Sequence, residues 1–371
     1  MQNSRILIIG AGIGGLTAAI ALGKRGFRVD MIEKDPAWTV YGVGIIQQSN
    51  VVRAMHALGL LEDYLEAGFG FDHVDIFSPA GEHLATVPSH KLVEGYPANV
   101  GISRRALQRV LGDRAREYGA TIYLGVTATK IDSLEGEVKV ALSDGRREVY
   151  DFVIGADGLY STTRHQLFPD ARAPQFTGQG VWRYNFPRPR DIISLHAYAG
   201  PIGMGFVPMS ESLMYLYATT PEPGNPHYDT SGLAGTMREK LAKAPPAVSA
   251  YAARITDDDA VVYRPMEWIF LEGDWYQGRV VLLGDAVHAT TPHLGQGAGM
   301  AIEDAMVLAD ELAQSTELQT VFRSYQQRRF ERCRYIVDKS REIGESQLGL
   351  RPPVDQAAAT SAMFKVVSAP I

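Results

Sequence analysis

Sulfhydryl chemistry is almost absent from this chain of 371 residues, whose single cysteine is Cys333. A lone thiol excludes an intrachain disulfide and any cysteine-based metal cluster, and it fits a reducing compartment. Cys333 sits in a charged helical stretch and reads as incidental. Positive charge is also in short supply. The 36 Lys and Arg stand against 42 Asp and Glu, for a net charge of −6, which gives no support for a nucleic-acid partner. Long apolar runs are scarce too. Ile6–Leu22 alone imitates a signal-peptide core or a membrane span, but Gly10, Gly12, Gly14 and Gly15 and the lack of a basic leader argue against both. There is no internal repeat and no low-complexity linker. What remains is ordinary globular composition, 46% hydrophobic and 21% charged, long enough for two domains or one large interleaved one. A soluble, cytoplasmic enzyme with no membrane partner is expected.

Three segments carry chemistry. In Arg5–Gly15, RILIIGAGIGG, an apolar strand runs into Gly10-x-Gly12-x-x-Gly15 and a helical pattern over Leu16–Lys24; a second strand, Phe27–Glu33, ends on an acid. This is a dinucleotide fingerprint: one glycine for the turn, one for the approach of a pyrophosphate, one for helix-on-strand packing, and Glu33 for a ribose hydroxyl. In Arg279–Ala305, RVVLLGDAVHATTPHLGQGAGMAIEDA, a buried strand leads through Asp285 and Pro292 to Gly295, Gly297 and Gly299 at a helix start. Bare amides at the positive end of a helix make an anion cradle, and Asp285 offers a carboxylate to hydroxyls. In Asp151–Arg164, DFVIGADGLYSTTR, a third apolar strand ends in Gly155-Ala-Asp157-Gly158, with Ser161 and Arg164 beyond. The first fingerprint alone does not choose between FAD and NAD.

With all three in this order, the chain resembles the class A flavoprotein monooxygenases, the group of para-hydroxybenzoate, salicylate and urate hydroxylases, over roughly residues 4–345. The resemblance implies an α/β fold: a Rossmann-like FAD-binding layer (residues 1–72, 99–174 and 279–345), an inserted, mostly antiparallel substrate sheet (73–98 and 175–278) and a C-terminal helix, followed by an uninformative tail at 346–371. It implies FAD as cofactor, NADH or NADPH as transient co-substrate because no second GxGxxG exists, and O2 taken up as a flavin C4a-hydroperoxide that hydroxylates a small aromatic or heteroaromatic substrate. It places the AMP half of FAD on Gly12, Gly14, Gly15, Glu33 and Lys34, and Arg104 near the phosphates. Asp157 and Gly158 fall in the pyrophosphate region, Ala128 at the adenine end, Ile46 on a loop contact, Asp285 on the ribityl chain, and Gly295, Gln296, Gly297, Ala298 and Gly299 at the flavin ring. One departure is Gly299, where the family often has Asn. The same scaffold also serves epoxidases, halogenases and dehydrogenases, or a binding module without catalysis; intact glycines and acids argue against the last.

Short aromatic and β-branched runs at Trp182–Phe186, Ile192–Tyr198, Met204–Val207 and Leu213–Ala218 read as the inserted sheet. Tyr215 and Tyr217 share one strand face, as do His196 and Tyr198. Tyr215 matches a substrate-contacting position of the family, His196 would assist deprotonation of substrate, and Pro292 would shape the wall at the reactive flavin edge; for each of the first two the plain alternative is a core or surface aromatic. Arg183 is a candidate cation for an acidic substrate. His288 and His293 lack the spacing of a zinc pair. The arginines 323, 328, 329, 332 and 334 on the last helix, about Thr320–Glu345, read as a solvated face.

Overall fold

The computed structural model describes residues 4–40 and 42–371. The strand Arg5–Ile9 buries Ile6, Leu7, Ile8 and Ile9 on both faces, as a central parallel strand must. It pairs in parallel with Arg28–Glu33 on one side and Phe152–Gly155 on the other, within a six-stranded sheet. Thr121–Leu124 and Val280–Leu282 extend that sheet in parallel, and Tyr276–Gln277 closes it antiparallel. The helix Ile13–Gly23 packs on the helix Gly297–Gln314, and Gly14 keeps the contact tight, since an added Cβ would lie 3.2 Å from Ala301 Cβ and 2.9 Å from Leu283 Cδ1. Two motifs at opposite ends of the sequence therefore become one structural unit.

The inserted sheet has seven strands, in the order Val262–Trp268, Gln175–Pro187, Leu213–Pro221, Gly203–Pro208, Leu195–Tyr198, His73–Phe77 and His83–Pro88. Every pairing is antiparallel except Leu195–Tyr198 with His73–Phe77. Its two faces follow the period of two. One face buries Trp182, Phe206 and Leu216 with Met237 and Val248 of the helices Leu233–Lys240 and Pro246–Ala252. The other turns Arg183, Val207, Tyr215 and Tyr217 toward the nucleotide layer. Gly101 lets the layers meet, since a Cβ there would stand 1.9 Å from the Pro208 carbonyl oxygen.

Several sequence expectations needed correction. The stretch before the third motif is divided between two sheets: Arg147–Tyr150 pairs with Val138–Leu142, and Phe152–Gly155 joins the large sheet. Asp151 divides them, its carboxylate accepting from the Arg5 amide at 2.7 Å. The final segment is not featureless, because Gln356–Ser368 is helical and buries Met363, Phe364 and Val367. Its terminal carbonyls are capped by arginines: Arg53 donates to Ser368 O at 3.0 Å, Arg332 to Ala369 O at 2.8 Å and Arg328 to Ile371 O at 2.6 Å. The arginine-rich helix, Leu318–Gln347, is not uniformly solvated either. Arg323 is exposed, but Arg329 is 0% exposed. Among the described residues no helix is long and apolar enough to cross a membrane.

Candidate active site

One cavity of about 830 Å³ runs from the glycine turn to the front face of the inserted sheet. At its nucleotide end, Gly10 takes φ +104° and would place a Cβ 2.4 Å from Ala156 O, so only glycine fits that turn. Gly15 is equally constrained, its Cβ position lying 2.0 Å from Gly10 O beneath the turn. Around Gly12 nothing lies within 4 Å: its backbone faces open space at the start of the Ile13–Gly23 helix, where amides await an anion. Glu33 lines this end and holds the turn, accepting from Ala11 N at 3.0 Å and Asp35 N at 3.1 Å. Lys34 lines it too, and so does Trp38, whose indole donates to Ala11 O at 3.0 Å. No motif announces Trp38, a non-glycine residue at φ +48°; such strain gathers at functional loops.

Midway, Asp285 opens a short helix, Asp285–His288, with its side chain exposed to the cavity. The protein packed around it raises its carboxyl above the ordinary range, opposed by the positive charges of His288 and Arg104. Arg104, on the helix Arg104–Glu117 that Ser103 caps through Ala106 N at 3.1 Å, lies across Gly42 and lines the cavity. Pro292, Gly295, Gly297, Ala298 and Ile46 line the next stretch, with the amides of the Gly297–Gln314 helix start turned inward. Gly295 adopts φ +66° to admit the chain into this helix.

At the far end the walls are Val74, Ile76, Leu195, Val207, Tyr215 and Tyr217, with the C-terminal helix adding Thr360, Met363 and Phe364. The tyrosine rings stand 6.4 Å apart. Arg183 enters this apolar chamber; burial and the nearby Arg104 charge lower its pKa to about 10, and no carboxylate among the described residues pairs with it. His293 lines the chamber as a neutral imidazole, held down at about 4 by burial. Gln347 Oε1 can only accept, so His293 Nε2 donates to it at 3.1 Å and Nδ1 accepts from the Thr291 hydroxyl at 2.8 Å.

Other expected site residues lie elsewhere. Gly15 packs under the turn, and Ala128 is buried in the edge strand Ala128–Ser133, away from the cavity. Asp157 turns its carboxylate to the Thr162–Leu167 helix start, accepting from Ser161 Oγ at 2.5 Å and Thr163 N at 2.9 Å, while its neighbours Ala156 and Gly158 line the cavity. His196 is on the opposite sheet face, against Phe77 with ring centroids 5.1 Å apart, and its Nε2 lies 3.9 Å from Asp75. It therefore has no path to the chamber. Gln296 is buried and its amide bonds Gln48 and Asn50. A side chain at Gly299 would meet Gln296 Oε1 at 2.8 Å and Asn50 Nδ2 at 3.2 Å, so the space a longer residue needs is already filled by that amide pair.

Residues 3–340 match the family described as FAD binding domain. The chain belongs to it. The cradle agrees with that cofactor: bare glycine backbone, two acids and inward amides, spaced along one continuous cavity. The family resemblance extends to class A monooxygenases as a whole. Over 355 residues the chain is 34% identical to an aurachin C monooxygenase/isomerase from Stigmatella aurantiaca, covering 92% of this chain and 88% of the relative. It is 31% identical over 356 residues to a 6-hydroxynicotinate 3-monooxygenase from Bordetella bronchiseptica, at 89% and 88% coverage. The solved Klebsiella pneumoniae HpxO complexed with FAD and uric acid superposes with a TM-score of 0.85 at 26% identity, over 99% of this chain and 94% of that one. This flavoprotein is thus an FAD-dependent monooxygenase of the aromatic hydroxylase type.

His288, Asp304 and Cys333 lie with ligand-type atoms within 4.8 Å of one another. The Asp304 and Cys333 acceptors are engaged by protein donors: Asp304 accepts from Gly284 N, His288 Nε2 and Arg329 Nε at 2.9, 2.7 and 2.8 Å, and Arg329 Nη2 reaches Cys333 Sγ at 3.6 Å, while His288 Nδ1 is buried without a hydrogen-bond partner among the described residues. A guanidinium in the group makes it an ion network, not a metal centre.

Proposed function

We propose that the protein uses NAD(P)H and O2 to hydroxylate a small aromatic or heteroaromatic compound bearing an acidic group. The carrying observation is the continuity of the cavity, in which the glycine cradle opens directly onto a largely apolar chamber where Arg183 has no carboxylate partner among the described residues. FAD, when bound, supplies the redox chemistry and oxygen activation. The chain's own residues bind and orient. Gly12, Gly14, Glu33 and Lys34 would hold the adenosine half, with Arg104 at the phosphates. Asp285 would accept from ribityl hydroxyls, and Ile46, Gly295, Gly297 and Ala298 would meet the flavin ring. The helix start there favours negative charge by about 0.3–2 kcal/mol.

Tyr215 and Tyr217 offer rings to stack on the substrate, Arg183 offers a charged fork to its acidic group, and Pro292 forms the wall between the two ligands. The apolar walls exclude water from the reacting carbon. Deprotonation of substrate does not run through His196 in this reading. The Tyr215 hydroxyl, held protonated by burial against the pull of Arg183 and Arg104, is the donor closest in chemistry to a substrate oxygen.

Screening aromatic acids, phenols and N-heterocycles for stimulated NAD(P)H oxidation, with product formation scored beside it, tests the reading. A protein that purifies without yellow flavin and gains none on adding FAD would sink it. Tyr215→Phe keeps the ring and should retain FAD while losing about 0.5–1.5 kcal/mol of substrate or transition-state binding, the worth of one neutral hydrogen bond. Unchanged steady-state kinetics and unchanged coupling to product would return Tyr215 to a packing role.

A further inference from the structure

Beyond Tyr217 the chamber turns polar, and glycines make room for the polar groups. The strand Gly203–Pro208 sets two glycines on the cavity side, Gly203 opposite Thr219 and Gly205 opposite Tyr217. Over Gly205 lies the Tyr217 ring, whose Cε1 would stand 2.8 Å from an added Cβ. Over Gly203 lies the carboxamide of Gln347, with Nε2 at 2.9 Å from that Cβ position. Glycine inside a strand weakens it and marks a place where another group comes close to the backbone. A third glycine, Gly344, stands near the end of the helix Leu318–Gln347, where glycine is disfavoured. A Cβ there would lie 2.7 Å from Gln179 Oε1 and 3.0 Å from His293 Cε1. Gln179, His293 and Gln347 therefore occupy space that side chains of the sheet and the helix would otherwise fill.

Three donors converge on one atom of this group. Gln347 Oε1 accepts from Gln179 Nε2 at 3.0 Å, from His293 Nε2 at 3.1 Å and, at 3.3 Å, from the Thr219 hydroxyl, which also serves Gly203 O at 3.1 Å. His293 is held in turn at its Nδ1 by the Thr291 hydroxyl, 2.8 Å away. Gln179 is fully buried; it commits its nitrogen to Gln347 and leaves its own oxygen without a partner among the described residues. An orphaned buried acceptor is rare and calls for a reason. Turning Gln347 end for end would set its nitrogen against the Gln179 nitrogen, donor against donor. The oxygen therefore stays with the cluster. Nε2 is left with no acceptor among the described residues, on a side chain that lines the chamber.

We infer that Gln347 is a specificity-determining residue: its fixed Nε2 donates to a carbonyl oxygen that the aromatic acid carries at the end of its ring away from Arg183. This rests on the reading that the chamber takes an aromatic acid at Arg183. Arg183 is paired directly opposite Tyr217, and Thr219 lies two residues further along the same strand, so the two rows stand roughly 7 Å apart. A ring with a carboxylate at one end and a carbonyl at the other spans that interval. Because the cluster orients the amide before any ligand arrives, little side-chain freedom is lost on binding. A ligand with a hydrocarbon group in place of the carbonyl would cover the amide and leave its proton unanswered, which is how a site built to hydrogen-bond rejects an analogue of the same shape. The two ends of the chamber then read different chemistry, charge at Arg183 and a carbonyl at Gln347.

The test uses the FAD-loaded protein and two acids of matched shape, para-acetylbenzoate and para-isopropylbenzoate, of which only the first carries a carbonyl. The change each causes in flavin absorbance gives its dissociation constant. Gln347→Glu keeps an acceptor oxygen for Gln179, His293 and Thr219 and replaces only the donor; its charge at about pH 8 bears on both acids alike. The variant should keep its flavin spectrum and weaken the ketone acid about tenfold more than the isopropyl acid. Gly203→Ala, at a φ outside the left-handed region, puts a methyl group 2.9 Å from Nε2 and should shift the same ratio in the same direction. A ratio of dissociation constants in Gln347→Glu within about twofold of the natural protein's overturns the inference, as does a shift that favours the ketone. Should that variant fail to fold, Gly203→Ala decides by the same criterion. A natural protein that binds neither acid would instead overturn the reading of an aromatic acid at Arg183, and the inference with it.

Discussion

Arg329→Ala is expected to cost about 3–5 kcal/mol of folding stability, the range for removing one partner from a buried ion network. The guanidinium is 0% exposed and answers two carboxylates, Glu303 at 2.7 Å and Asp304 at 2.8 Å, while Nη2 donates to Met300 O at 3.3 Å. Its deletion leaves Glu303 to Arg332, Arg53 and Asn50, and Asp304 to His288 and the Gly284 amide. It also opens a void between the two helices whose contact carries the flavin loop. Denaturant unfolding followed by far-UV circular dichroism measures the loss, with Arg323→Ala as the control. Arg323 is exposed on the same helix, and its replacement should change stability by no more than about 0.5 kcal/mol. Equal midpoints for the two variants would mean that the buried network contributes nothing net.

Why the two arginines differ was hidden in the sequence, and the reason is general. Residues 323, 328, 329, 332 and 334 share one helix, and local periodicity assigns them charge but not partners. Glu303 and Asp304, which draw Arg329 inward, lie on another helix and only tertiary packing brings them there. The glycine motifs were legible for the opposite reason. Gly10, Gly12 and Gly15 act within a few residues of one another, through φ values and bare backbone that the pattern itself encodes. Capping of the Arg104–Glu117 helix by Ser103 is similarly local. Strand alternation placed Tyr215 beside Tyr217, but nothing in so short a run says which sheet face meets a ligand. His196 fell on the wrong side for that reason. His293 went unassigned because its role depends on Gln347, 54 residues away. The helix Gln356–Ser368 went unread because its anchors, Arg53, Arg328 and Arg332, are distant and grip backbone, which leaves no sequence pattern.

Arg183→Gln should separate substrates by charge. The guanidinium lines the chamber, burial and the Arg104 charge pull its pKa down to about 10, and no carboxylate among the described residues pairs with it. An ion held in that state costs solvation free energy unless a ligand answers it. A bidentate bond to a carboxylate or an acidic ring oxygen does so, and is worth about 1.5–3 kcal/mol. Glutamine retains length and one donor but no charge. The variant should keep its flavin spectrum and its FAD affinity, because Arg183 stands on the inserted sheet, apart from the glycine cradle. With an anionic aromatic substrate, kcat/KM should fall by about 10- to 100-fold, mostly through KM. With a neutral heteroaromatic of the same shape, the variant should match or exceed the natural protein, since a half-buried cation without a carboxylate partner among the described residues has been removed. Steady-state NAD(P)H oxidation coupled to product measurement on a matched acid and amide pair provides the comparison. An equal loss on both members of the pair would show that Arg183 shapes the chamber without reading charge, and the acidic group would then have to be dropped from the proposed substrate.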